Sequence, residues 1–270
     1  VLSNNFYSTI ITNSGGGFSQ YQGLAINRWR EDVTRDNWGI FFYIKNLNSD
    51  NYWSSAYQPC LEEGDKYEVT FEADKAVFTR KDGNIETKTE VVVSPEHNVE
   101  IRKVNLSNHS DSNRVMEVTS YFEPILTFQD DDAAHPAFVN LFVETEYIKE
   151  HDILLMTRRS RSKDDKPMWL ANSLVIDGDP IGKIQYETDR SKFIGRGREL
   201  NNPRVMDSDQ PLSNTAGAVL DSIMSLRQRV SIDPGNTAKL SYIVAISDTR
   251  EGAINLAREY QNIAVISRAF

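Results

Sequence analysis

Apolar and polar residues alternate along most of the chain with a period of two, which is the pattern of β-strands that bury one face. Such stretches, or runs rich in β-branched residues, occur at residues 6–12, 39–45, 67–72, 76–80, 85–93, 99–106, 114–122, 139–147, 153–159, 168–176, 183–186, 226–232 and 238–246. Turn-forming residues such as Asp177-Gly-Asp-Pro and Asp233-Pro-Gly-Asn separate them. Because the connections have hairpin length, the pattern predicts an all-β fold with two large antiparallel sheets packed against each other.

The pattern becomes helical only near the C-terminus. Asp248 and Glu251 have the spacing of a capping box, and Ile254, Ala257 and Tyr260 fall on one face of the segment that follows. We therefore divide the chain into a β domain, residues 1–247, and a short helical connector, residues 248–270. Since the chain starts without Met and ends without a cap or polar tail, we expect it to be a fragment of a longer protein.

Composition narrows the range of partners. The net charge of −9 argues against a nucleic-acid backbone or an anionic membrane surface as a partner. No apolar run approaches the roughly 20 residues of a membrane span. The single cysteine, Cys60, excludes an internal disulfide and a cysteine metal site. A reducing compartment is the simplest interpretation.

The segment RWREDVTRDNW, residues 28–38, has the most unusual local composition. Sugar sites use aromatic faces against the C–H face of the ring, and carboxylates, amides and guanidinium groups bind the hydroxyls. A second aromatic and polar cluster surrounds Trp53 and Gln58, and it either faces the same site or is a packed strand end. The candidate contacts for carbohydrate or a neighbouring domain are Arg28, Trp29, Arg30, Glu31, Asp32, Arg35, Asp36, Trp38, Trp53 and Gln58. The alternative is an internal Arg–Asp network that attaches a long loop to the sheet, and composition does not decide between the two.

Other candidate motifs predict little chemistry. Three consecutive glycines at 15–17 are not followed by Lys-Ser/Thr, so they are not a P-loop and predict a glycine turn or bulge. The four histidines show no metal-ligand spacing. Only His135, beside Glu144 or Glu146, is a candidate for proton transfer of the aldose-epimerase kind. We assign no catalytic residue, no metal site and no cofactor to this chain.

Several segments also resemble a known family. They are NSGGGFS at 13–19, RWREDVTRDNWG at 28–39, YWSSAYQP at 52–59, AAHPAF at 133–138 and GAVLDSIMSLRQR at 217–229. Together they resemble the β-supersandwich domain of glycoside hydrolase family 94, formerly glycosyltransferase family 36. The likeness is greatest to the cyclic β-1,2-glucan synthase branch of that family.

The resemblance implies a galactose-mutarotase-like supersandwich that precedes a helical linker and an (α/α)6 barrel. In the family the barrel carries the catalytic acid and binds inorganic phosphate, so no catalytic role passes to a residue of this chain. For the parent protein it implies a hexosyltransferase or inverting phosphorylase acting on a β-glucoside, on the cytoplasmic side of a bacterial inner membrane.

The resulting prediction is a non-catalytic carbohydrate-binding or scaffold domain. Its expected partners are a β-glucan or β-glucoside, the barrel of the same polypeptide and a second copy in a homodimer. Two alternatives stay open, namely a purely structural or dimerisation domain and a stand-alone enzyme similar to an aldose epimerase.

Overall fold

Antiparallel strands dominate the architecture. The structure is a computed structural model that describes residues 1–32, 34–160, 167–207 and 210–270. The strands are β1 (Leu2–Ser3), β2 (Tyr7–Ile11), β3 (Gly17–Tyr21), β4 (Leu24–Asn27), β5 (Phe41–Asn46), β6 (Asn51–Ser54), β7 (Lys66–Phe71), β8 (Lys75–Asp82), β9 (Ile85–Val93), β10 (Val99–Asn108), β11 (Arg114–Tyr121), β12 (Pro124–Thr127), β13 (Val143–Ile148), β14 (Ile153–Arg158), β15 (Trp169–Asp177), β16 (Asp179–Asp189), β17 (Ser222–Ile232) and β18 (Thr237–Ser247).

The strands form three antiparallel sheets. An eight-stranded sheet has the order β13-β14-β15-β18-β10-β9-β8-β7, and two five-stranded sheets have the orders β1-β2-β3-β4-β12 and β16-β17-β11-β5-β6. The predicted all-β supersandwich is confirmed. The expectation of two sheets was wrong in detail, because the layer facing the eight-stranded sheet is divided into two.

The main hydrophobic core lies between the eight-stranded sheet and both five-stranded sheets. Ile26 comes from one five-stranded sheet, Phe42 from the other, and Val104 and Tyr242 from the eight-stranded sheet. The rings of Phe42 and Tyr242 are 4.7 Å apart. Each such side chain stabilises the fold by about 1.5–3 kcal/mol on burial, so this interface holds the layers together.

Helices are short and lie outside the sheets. They are α1 (Gln129–Ala134), α2 (Pro136–Asn140), α3 (Arg190–Ile194), α4 (Arg250–Glu259) and α5 (Ile263–Ala269), with a 3₁₀ turn at Arg204–Met206. The expectation that only the C-terminus is helical was therefore wrong. α2 starts with a proline, whose missing N–H costs nothing there, and the side chain of Asp189 caps α3. Elements of five or six residues are too short to show helical periodicity.

The expected strands all occur, most of them with shifted ends. The stretch predicted at 139–147 begins only at Val143, because Val139 and Asn140 belong to α2. The pattern missed β1, β3, β4, β6 and β12, which have at most five residues each.

The C-terminal helices cover the outer face of the eight-stranded sheet. Ala253 and Ala257 of α4 pack with Ile101 and Ile243 of the sheet. The N-cap is Thr249, whose hydroxyl accepts from the amide of Gly252 at 3.1 Å, and not Asp248 as the capping-box spacing predicted. None of the helices that the structure describes is long and apolar enough to cross a membrane.

The outer face of the β5–β11–β17 sheet is covered by the segment that contains α3 and the 3₁₀ turn. Phe193 packs against Tyr43 and Tyr121, with ring centroids 5.9 and 4.9 Å apart. Next to this cluster, Arg227 is fully buried and its Nε lies 3.2 Å from Oε1 of Glu117. This covering segment forms one wall of the cleft described below.

Candidate functional site

The glycine triplet allows two loops to approach closely. Gly17 has φ +139°, and a Cβ there would lie 1.9 Å from the carbonyl oxygen of Ile10. A Cβ on Gly16 would lie 2.1 Å from Oδ1 of Asp36. The amide of Gly17 donates to the carbonyl of Trp38 at 2.7 Å. The predicted glycine turn is confirmed, and it fixes the end of the 28–38 loop.

Asp36 secures the same contact from the other side. Its Oδ2 accepts hydrogen bonds from the hydroxyls of Thr12 and Ser14, the latter at 2.5 Å. Asp36 is half-buried. Its hydrogen bonds attach the 28–38 loop to the glycine turn.

Arg28, at the start of the loop, is buried in an ionic network. Its Nη1 donates to Oε2 of Glu123 at 2.7 Å, and its Nε and Nη2 contact the carboxylate of Asp132 at 3.0–3.2 Å. Nη2 also donates to Oδ1 of Asn140 at 2.6 Å. Burial acts to lower the pKa of Arg28, but hydrogen bonds to Asp132 and the charge of Glu123 raise it above its ordinary value. The guanidinium therefore stays charged and joins β4 to α1 and α2.

Arg30 reaches the same carboxylate. Its Nη2 donates to the backbone carbonyl of Asp132 at 2.9 Å and lies 2.5 Å from Oδ2. For Arg28 and Arg30 the structure thus shows the internal Arg–Asp network that composition had left as an alternative.

A second half of the network reaches the surface through Arg190. Its Nε donates to Oε1 of Glu123 at 2.9 Å, and its Nη1 lies 3.4 Å from Oδ2 of Asp221. The Tyr121 hydroxyl donates to the same Oε1 at 2.7 Å. Burial raises the pKa of Tyr121 and the charge of Glu123 adds to the effect, so the phenol stays protonated. For Arg190, burial acts to lower the pKa, but the charges of Glu123 and Asp221 together with Tyr121 outweigh burial and raise the pKa.

The network is balanced in charge. Arg28, Arg30 and Arg190 face Glu123, Asp132 and Asp221. Burial and the charge of Glu123 raise the pKa of Asp221, while Arg190 and Arg28 act to lower it. Matching of this kind is what a buried ionic cluster requires, because each isolated charge would cost several kcal/mol.

The middle of the loop has mixed exposure. Trp29 is half-buried against Phe18, with ring centroids 5.3 Å apart. Glu31 and Asp32 are exposed. Asp32 accepts from the amide and hydroxyl of Thr34 at 2.8 and 2.7 Å, and these bonds lower its pKa. Val33, inside the same segment, lies outside the described residues.

Arg35, Trp38 and Gln58 line one cleft of about 480 Å³. Its other walls are Pro59 and Leu61, the segment from Arg198 to Asn201, and the network residues Glu123 and Arg190. The cleft therefore combines one indole, three guanidinium groups, two carboxylates and several amides. Sequence reasoning missed Glu123, Arg190 and the 198–201 segment, because they are far from the loop in the chain and have no distinctive motif.

Trp53 does not share this cleft. It is buried in β6, and its Nε1 is without a hydrogen-bond partner among the described residues. Trp53 lines a separate cavity of about 630 Å³, between the β5–β6 turn and the β8–β9 turn. Of the predicted contacts, the structure thus brings together Arg35, Trp38 and Gln58.

Both candidate carboxylates of the epimerase-type pair are bound to arginines. His135 is exposed between α1 and α2. Glu144 pairs with Arg159 at 3.1 Å, and Glu146 pairs with Arg250 at 2.6 Å. Within the described ranges, no group of three or more His, Cys, Asp or Glu side chains is arranged to hold a metal ion.

Comparison with known proteins identifies the family. The sequence model of the glycosyl hydrolase 94 supersandwich domain matches residues 1–263. The chain belongs to this family. The chain is 32% identical to the cyclic beta-(1,2)-glucan synthase NdvB of Rhizobium meliloti (strain 1021) over 262 residues. The aligned region covers 97% of this chain and 9% of that protein.

Two phosphorylases are more distant relatives of this supersandwich domain. The N,N'-diacetylchitobiose phosphorylase of Vibrio proteolyticus is 24% identical, with 100% of this chain and 33% of that protein covered. The solabiose phosphorylase of Paenibacillus borealis is also 24% identical, covering 92% of this chain and 32% of that protein. The chain thus spans a third or less of the length of these relatives.

A solved structure shows the same fold. A bacterial glucoamylase complexed with acarbose superposes with a TM-score of 0.52 at 11% identity, over 96% of this chain and 34% of that one. At this identity the likeness concerns the fold alone.

Proposed function

We propose that this supersandwich domain is a non-catalytic supporting domain of a β-glucan synthase or β-glucoside phosphorylase. In this proposal the cleft beside Trp38 contacts a β-glucan or β-glucoside next to the catalytic domain. The names of the relatives, a cyclic glucan synthase and two phosphorylases of disaccharides, support the substrate class.

The chemistry of the cleft carries the proposal. Trp38 offers an aromatic face for the C–H side of a sugar ring. Arg35, Arg190 and Arg198 are forked donors, and Glu199 is a carboxylate acceptor for a hydroxyl pair. The volume of about 480 Å³ falls within the range of roughly 300–1,000 Å³ that is usual for ligand pockets.

The network makes one wall of this cleft rigid before any ligand arrives. Glu123 is held by Arg28 through Oε2 and by Tyr121 and Arg190 through Oε1. A ligand therefore does not have to order this wall, and that lowers the entropic cost of binding.

The remaining partners follow from the family. We propose that residues 248–270 lead to an (α/α)6 barrel of the same polypeptide, which binds phosphate and carries the catalytic acid. A second copy of the chain is a further partner, and the domain works in the cytoplasm.

A purely structural domain is the second candidate. The burial of Arg28 and the use of Arg30 inside the network favour it, because these two arginines serve the fold. The stand-alone epimerase has less support, since Glu144 and Glu146, the carboxylates considered together with His135, are paired with arginines.

Titration of the chain with β-1,2-linked gluco-oligosaccharides, followed by calorimetry or NMR, separates the two candidates. Trp38→Ala and Arg35→Ala should abolish or strongly weaken binding. Trp29→Ala is the matched control, because Trp29 packs on Phe18 outside the cleft. Absence of binding by the wild type would contradict the glycan-contact proposal and leave the structural role. Incubation with oligosaccharide and inorganic phosphate should release no sugar phosphate, and release would show that the domain is catalytic.

A further inference from the structure

The edge of the eight-stranded sheet at β7 is open. β7 pairs with β8 over six consecutive residues without a register shift, and β8 is its only neighbour in the described sheet. Five of its six residues are exposed, including Tyr67 at 36% and Phe71 at 54%. A regular strand with a free edge is a template for pairing with another strand.

The other edge strands are protected. β16 contains Pro180 and a left-handed glycine, Gly182 with φ +76°, and its register shifts between Ile181 and Gln185. β13 is closed by Gly217, whose amide donates to the carbonyl of Thr145 at 2.9 Å. β1, β6 and β12 have only two to four residues. Among the edges that the structure describes, β7 alone has more than four residues and neither a proline, a register shift nor a covering segment. Its charged residues Lys66 and Glu68 pair with each other at 3.0 Å.

The backbone direction defines which groups of β7 are free. The amide of Glu72 donates to the carbonyl of Lys75, so residue 72 faces β8. Hydrogen bonding alternates along an antiparallel pair, which turns the N–H and C=O groups of Tyr67, Val69 and Phe71 toward the open edge.

The sequence of this edge is complementary to itself. When two copies pair antiparallel about Val69, Lys66 lies opposite Glu72 of the second copy. Tyr67 lies opposite Phe71 of the second copy, and Glu68 lies opposite Thr70. Opposite charges and aromatic pairs at facing positions stabilise a sheet, whereas like charges would destabilise it.

We infer that two copies of this chain associate through β7, forming one continuous sheet about a two-fold axis at Val69. The outward groups of Tyr67, Val69 and Phe71 then supply about six inter-strand hydrogen bonds. The same residue pairs repeat on both sides of the axis, as an isologous interface requires. This inference gives a surface to the self-association included among the proposed partners, and it does not depend on glycan binding.

The small size of the interface indicates a weak dimer. We expect sedimentation velocity of the 270-residue chain to show a concentration-dependent dimer with a Kd of about 10–100 μM. Val69→Pro removes an outward N–H without removing a bond to β8, and it should raise Kd by at least about tenfold.

A charge exchange tests the register. Lys66→Glu and Glu72→Lys should each raise Kd by about fivefold, because like charges then face each other. The double variant Lys66→Glu/Glu72→Lys should return Kd to within about twofold of wild type. Lys183→Glu on the protected edge β16 is the matched control and should leave Kd unchanged. Trp38→Ala should also leave the Kd of the dimer unchanged. Failure of the dimer test is therefore distinguishable from failure of the oligosaccharide titration.

Several results would overturn the inference. A wild-type chain that stays monomeric at about 300 μM would do so. A dimer unaffected by Val69→Pro and Lys66→Glu would place the interface elsewhere. Failure of the double charge exchange to restore the dimer would exclude the register. Circular dichroism and thermal unfolding show whether each variant is folded. If Val69→Pro does not fold, the charge variants alone test the inference.

Discussion

Arg190 donates from Nε to Oε1 of Glu123 at 2.9 Å, at the point where the buried network opens into the cleft. The other carboxylate oxygen of Glu123 accepts from the buried Arg28. One carboxylate therefore links the attachment of the 28–38 loop to the wall of the candidate glycan cleft.

Glu123→Gln should lower the free energy of unfolding by about 3–5 kcal/mol, because it leaves the buried Arg28 with one carboxylate partner fewer. Glu199→Gln makes the same chemical change at an exposed position of the same cleft and should alter stability by at most about 0.5 kcal/mol. Urea unfolding followed by fluorescence measures both. Equal effects of the two substitutions would show that Glu123 has no structural role in the network.

Glu100 should be the main polar link between the eight-stranded sheet and the sheet that contains β2. It accepts from Tyr7 at 2.9 Å and Ser19 at 2.5 Å, and it pairs with Arg102 at 2.6 Å, all in the core. Glu100→Gln leaves Arg102 without its carboxylate and should destabilise the fold by about 3–5 kcal/mol. Tyr7→Phe removes one hydrogen bond and should cost about 1–2 kcal/mol. Chemical denaturation of both variants measures the two losses of stability. A larger loss for Tyr7→Phe than for Glu100→Gln would contradict the prediction.

Gly17→Ala should destabilise the fold by more than about 3 kcal/mol, because a Cβ would meet the carbonyl of Ile10 at 1.9 Å. Gly83→Ala is the matched control, since Gly83 also has a positive φ, +60°, but has no atom within 4 Å of a Cβ. Only the conformational cost of about 1–2 kcal/mol applies there. Similar losses at both positions, measured by thermal unfolding, would show that the close approach at Gly17 is unimportant.

Cys60 should react slowly with thiol reagents in the folded protein. Burial raises the pKa of its thiol to about 12, well above its ordinary value, and the thiolate is the reactive form. The folded state then holds its proton where the unfolded state loses it, so this group reduces stability as pH rises from about 9 toward 12. The loss is about 1.4 kcal/mol per pH unit.

The comparison of wild type with Cys60→Ala isolates this effect from the tyrosines. The wild type should lose stability more steeply above pH 9 than the variant. Parallel pH profiles would mean that the thiol titrates alike in both states. Native labelling at pH 8 should be slow and should become fast in denaturant.

The sequence by itself determined the longer strands and the family. Long stretches such as 85–93 and 99–106 alternate clearly, and β9 and β10 form there because only one register buries their apolar sides. The pattern did not predict short elements such as β6 and α3. A few residues have no measurable period, and their conformation depends on tertiary packing.

The tertiary structure alone decided which residues of the 28–38 loop are buried and which line the cleft. In the sequence, Arg28 and Arg35 are equivalent candidates, but the fold buries Arg28 among Glu123, Asp132 and Asn140 and leaves Arg35 at the cleft. Likewise, Trp29 packs against Phe18, whereas Trp38 lines the cleft. Residues separated by tens or hundreds of positions build these surroundings, and pairwise distances of that kind are set by sheet packing and not by local pattern. The self-complementary sequence of β7 was likewise present from the start, but only the sheet order showed that its edge is open.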